Sequence, residues 1–72
     1  MDAYILEQCR KNKNIRELKI KNLEHAIQQS EKIIAESNME EAELIFLRKK
    51  VAESRQSLET LYWIKSQYDQ MD

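Results

Sequence analysis

The sequence predicts an all-α chain folded as an antiparallel two-helix hairpin, and three observations carry that expectation. The 72 residues contain neither glycine nor proline, which tight turns and strand hairpins draw on and long helices exclude. Apolar residues recur at alternating spacings of 3 and 4 through the second half, the period of a heptad seam. Only "ESNMEE", Glu36 to Glu41, carries convincing signals for a break.

The first helix is expected over residues 3–36. Its second half presents Ile20, Leu23, Ile27, Ser30 and Ile34 at heptad spacing, with Ala26 and Ile33 flanking. Its beginning is weaker. Ile5 and Cys9 continue the stripe, but "RKNKN", Arg10 to Asn14, has no apolar residue and two asparagines that disfavour helix. The arm over residues 1–14 is therefore expected to fray, or to be ordered only by a partner.

The turn is expected over residues 37–39. Ser37 with Glu40, or Asn38 with Glu41, spells a capping box. The acidic run "EEAE" suits the positive end of a helix dipole, and Asn38 can take the left-handed conformation that ends many helices.

The second helix is expected over residues 39–70, with a seam of Leu44, Leu47, Val51, Ser54, Leu58, Leu61, Lys65 and Tyr68. The predicted hairpin core is thus Ile20, Leu23, Ile27 and Ile34 against Leu44, Leu47, Val51, Leu58 and Leu61. Lys65 can pack its stem there while its ammonium reaches water, and with Ser54 it can fix pairing register.

The stretch "LYWI", Leu61 to Ile64, does not fit a single seam, since consecutive residues on a helix diverge by ~100°. Ile45 and Trp63 are 18 residues apart, as are Phe46 and Ile64, so each pair lies along one line of the helix. Ala52 falls between Ile45 and Trp63. The second helix therefore carries a second apolar surface facing away from the hairpin. Contiguous apolar surface marks interfaces, and Trp and Tyr are enriched among binding hot spots. The expected partner contacts are Ile45, Phe46, Trp63 and Ile64, with Tyr4 and Ile5 secondary. Copies of the chain in a homo-oligomeric helical bundle would cover the same residues.

Other function classes find less support. Twelve basic and thirteen acidic residues nearly cancel, to −1, which suits a solvated helical surface and gives no general attraction to nucleic acid or anionic membranes. "RKNKNIRELKIK", Arg10 to Lys21, holds six basic residues, but they are spread around the helix without interleaved aromatics. It reads as a solvated face before a nucleic-acid site. No apolar run approaches the ~20 residues of a membrane span, and the start lacks the pattern of a secretory signal. One cysteine and one histidine make neither a disulfide nor a metal site. Cys9 reads as a small buried hydrophobe. No converging polar set suggests catalysis, so the expectation is a cytosolic protein, not an enzyme, that needs no cofactor.

Two segments, "LEHAIQQSEKIIAES" and "SLETLYWIKSQY", give the chain a resemblance to the small helical-hairpin co-chaperones of type III secretion needle subunits. The resemblance implies a helix-turn-helix protein of the bacterial cytoplasm that binds a second, tetratricopeptide-like chaperone. It implies that the pair keeps a needle subunit unpolymerised until export.

Overall fold

A computed structural model describes residues 2–69. Its regular structure is all helical: α1 spans Ala3–Lys11, α2 spans Lys13–Glu36 and α3 spans Glu41–Tyr68. Among the described residues there are thus three helices, not the two expected. The predicted end of the last helix at Gln70 lies outside the described residues.

The additional boundary is Asn12. Its backbone is extended, at φ −127° and ψ 113°. Its N–H donates to the Gln8 carbonyl (2.9 Å) and closes α1. Its side-chain oxygen accepts from the amides of Asn14 (2.9 Å) and Ile15 (3.2 Å) and opens α2. One asparagine thus satisfies orphan groups of two helix ends, the role that suits a short amide side chain at an N-cap. The polar run "RKNKN" is the corner of the molecule, and residues 3–11 are helical up to it. The opposite end of α1 is capped by Asp2, whose carboxylate accepts from the Tyr4 amide at 3.0 Å.

The connector between α2 and α3 is also one residue longer than expected. Ser37 caps the end of α2 through its amide to the Ile33 carbonyl (2.9 Å). The N-cap of α3 is Glu40, with no side-chain hydrogen bond. Neither capping box forms, because the helix begins after Glu40 and leaves Ser37 and Asn38 too far upstream to reach its amides. No described residue has positive φ. The reversal is made with extended backbone at Ser37 and Glu40, so Asn38 does not take the left-handed conformation.

α2 and α3 run antiparallel and share the largest interface, while α1 folds back to touch both. The direction follows from two ion pairs: Arg16 near the start of α2 meets Asp69 beyond α3, and Glu31 near the end of α2 meets Arg55. Where all three helices meet, Cys9, Ile20, Leu61 and Ile64 form the core, with Ile5, Leu6, Leu23 and Leu58 packed around them. Fully burying a large aliphatic side chain stabilises by ~1.5–3 kcal/mol, so this end is the anchor. Farther along the α2–α3 pair, Ile27 and Val51 are buried, and Ile34, Leu44 and Leu47 are half-buried. Ser54 and Lys65 are half-buried as well.

Candidate interaction site

The four residues of "LYWI" divide between the core and the surface. Leu61 faces α2 and is fully buried; Ile64 is 1% exposed in the three-helix core. Tyr62 and Trp63 remain outside, at 45% and 60% exposure. The second apolar surface of α3 is thus divided. Near its C-terminal end Ile64 is covered by α1 while Trp63 stays open, and toward its N-terminal end Ile45 and Phe46 are both exposed.

Ile64 is consequently not an exposed contact residue. The packing of α1 explains the difference: Ile64 meets Cys9, Ile20 and Leu61, while a nine-residue helix is only ~13 Å long and leaves Phe46, 18 residues away, uncovered. Phe46, on the same bearing as Ile64, is 61% exposed, with the Lys50 ammonium 5.5 Å above its ring. Ile45 is 60% exposed and Ala52 is exposed as well. Ile45, Ala52 and Trp63 therefore make an open line on the side of α3 away from α2, flanked by Phe46. Ile5 is half-buried against the core, whereas Tyr4 stands exposed on α1.

What seats α1 is Arg16. It lies within the basic stretch that reads as solvated, yet it is 2% exposed. Its Nη1 donates to the carbonyls of Cys9 (2.9 Å) and Arg10 (3.4 Å), at the C-terminal end of α1. Its Nη2 pairs with Asp69, just past α3. One guanidinium thereby ties the ends of α1 and α3 to α2, a task suited to its planar fork of donors. Arg10 and Lys11, in the last turn of α1, remain near the surface and pair with Glu7. They also sit where cations complement a helix dipole.

Two titrations follow from this packing. Burial pushes the Cys9 thiol up, against the opposing pull of Lys19 and Arg16. That holds the sulfur as a thiol, the unreactive form. Desolvation also raises the Tyr62 phenol, helped by hydrogen bonding and charge from Glu24 of α2. His25 is exposed. Among the described residues no group of three His, Cys, Asp or Glu side chains is placed to hold a metal ion, and no helix is long and apolar enough to cross a membrane.

A further apolar line lies on α2. Ile15 and Ile33 are 18 residues apart and are 37% and 47% exposed; Leu18 beside them is 60% exposed. The spacing that reveals Ile45 and Trp63 identifies Ile15 and Ile33 too, once applied to both helices.

No protein-family model matches the sequence, and neither does any curated protein or solved structure.

Proposed function

We propose that the chain is a protein-binding co-chaperone of the bacterial cytoplasm. It pairs with a larger tetratricopeptide-like chaperone to keep a type III secretion needle subunit unpolymerised. The carrying observation is the open face of α3, where Ile45, Phe46 and Trp63 are each at least 60% exposed. The resemblance of "LEHAIQQSEKIIAES" and "SLETLYWIKSQY" to that co-chaperone family supplies the identity of the partner.

The mechanism is mutual coverage. A needle subunit carries an assembly-prone amphipathic helix, which a helical-repeat groove can hold along its apolar stripe. The hairpin lays its α3 face on remaining apolar surface of the chaperone and completes a helical bundle with it. Each protein then stabilises the folded form of the other by mass action. Trp63 is the main anchor, Ile45 and Phe46 extend the contact, and Tyr4 of α1 is a secondary contact. The nucleic-acid reading is weaker, because Arg16 is committed within the fold.

Co-expression with a tetratricopeptide-like chaperone and its needle subunit tests the proposal. The wild-type chain is expected to co-purify with the chaperone and hold the needle subunit in the soluble fraction. Trp63→Ala is expected to weaken the complex about 30-fold, the scale of a hot-spot residue, with helicity unchanged. A chaperone that ignores the wild-type chain overturns the function. A complex indifferent to Trp63→Ala and Ile45→Ala together overturns the face.

A further inference from the structure

We propose that, without another partner, the outer face of α3 closes reversibly on a second copy of this chain. The two α3 helices run antiparallel about a two-fold axis at the level of Ser54. This inference does not rest on the chaperone reading.

The observation behind it is a symmetry in the exposed line. At ~100° per residue, Ile45, Lys49, Ala52, Gln56, Glu59 and Trp63 follow one another along the side of α3 opposite its α2 seam. Their spacings are 4, 3, 4, 3 and 4, and all six are exposed. That is a second heptad stripe, and its midpoint is Ser54. Ile45 and Trp63 each lie nine residues from it, Lys49 and Glu59 five, Ala52 and Gln56 two. An antiparallel two-fold pairing therefore sets Ile45 against Trp63 of the second copy. It sets Lys49 against Glu59 and Ala52 against Gln56, and the symmetry repeats each match. Apolar meets apolar, cation meets anion, and a small residue meets a long polar one. This is the self-complementarity an isologous interface requires.

Other arrangements lack these matches. A parallel pair in register sets Lys49 on Lys49 and Glu59 on Glu59. An antiparallel slip of one heptad sets Ile45 against Gln56 and Lys49 against Ala52. Two like-charge approaches remain in the favoured register, Glu53 and Arg55 with their own copies beside the axis. Both lie on the flanks and are paired within the chain, Glu53 with Lys50 (3.9 Å) and Arg55 with Glu31. With one kind of apolar layer, the dimer forms and parts readily. Because it uses Trp63, it excludes any other protein on that face, so the pair is a stored form that a stronger partner opens.

Sedimentation equilibrium of the intact chain over a wide concentration range tests this. The mass is expected to climb from one chain toward two and stop there. Lys49→Glu and Glu59→Lys are each expected to weaken the dimer about tenfold, as for two exposed ion pairs lost by symmetry. The double reversal is expected to restore it. A 1:1 mixture of Ile45→Cys and Trp63→Cys chains is expected to give the mixed disulfide under mild oxidation, Cys9 being buried in each. Ile45→Cys alone is expected to give little, since its two copies would stand ~27 Å apart along the helices. A single-chain mass at every concentration overturns the proposal. So does a double reversal without recovery, or an Ile45→Cys homodimer that forms as fast as the mixed one. None of these results requires a chaperone, so failure of the chaperone reading is seen separately.

Discussion

Phe46 and Ile64 occupy the same bearing on the same helix, yet Phe46 is 61% exposed and Ile64 is 1% exposed. Nothing within α3 distinguishes them. The difference is α1, a nine-residue helix that reaches one end of α3 and not the other. Position on a helix thus determines which way a side chain points. Burial depends on what a distant segment brings to that side.

Substitution at the two sites is the sharpest check of this contrast. Ile64→Ala is expected to destabilise the fold by about 3 kcal/mol, as for large-to-small changes in a packed core. Phe46→Ala is expected to change it by less than about 0.5 kcal/mol, as for exposed sites. Urea unfolding of both variants measures the difference, and equal losses would mean that α1 does not confer the asymmetry.

Removing the tie that holds α1 comes next. Arg16→Ala is expected to cost about 2–3 kcal/mol, less than the ~3–5 kcal/mol of losing one partner of a fully buried pair, because Asp69 keeps some solvent access. Its more specific effect is on Cys9, which should react with a thiol reagent much faster once α1 lifts. Unchanged Cys9 labelling would show that α1 is seated without Arg16.

Asn12→Ala is expected to cost about 1 kcal/mol through the lost cap. It also removes the signal that separates α1 from α2. A distance probe between residues 4 and 30 should then report a longer, straighter arm, with far-UV helicity undiminished. At the bottom of the scale, Glu31→Gln, which leaves Arg55 without its partner, is expected to cost under about 0.5 kcal/mol. That small loss should fade in high salt, because both side chains are largely exposed.

The sequence made some parts of this arrangement legible and concealed others for definite reasons. The helical class follows from composition, and the spacings from Ile20 to Ile34 and from Leu44 to Leu61 locate the residues that meet between α2 and α3. The return of α1 is not periodic information. A polar run such as "RKNKN" looks the same whether it frays or turns a corner, and only Asn12's two-sided hydrogen bonding decides it. Arg16 was equally hidden, since a cation among five others gives no sign that it will cap α1 and meet Asp69, 53 residues away. For the candidate site, spacing found the line of Ile45 and Trp63 but could not reveal that α1 would take Ile64 out of it.

One nitrogen of Arg16 has no such partner: Nε is buried and unbonded among the described residues. An orphaned buried donor costs ~1–3 kcal/mol, and that penalty falls on the closed position of α1. Two levels of amide protection are therefore expected, with native-state hydrogen exchange as the measurement. Amides of α1 are expected to exchange through a local opening that needs less free energy than global unfolding, and those around Ile27 and Val51 to wait for the larger event; equal protection in both regions would show that α1 does not open by itself. In the opened form Ile64 would lose the cover of Cys9 and stand exposed next to Trp63, so a rarely populated state would offer a larger apolar surface at that end of α3 than the resting molecule does.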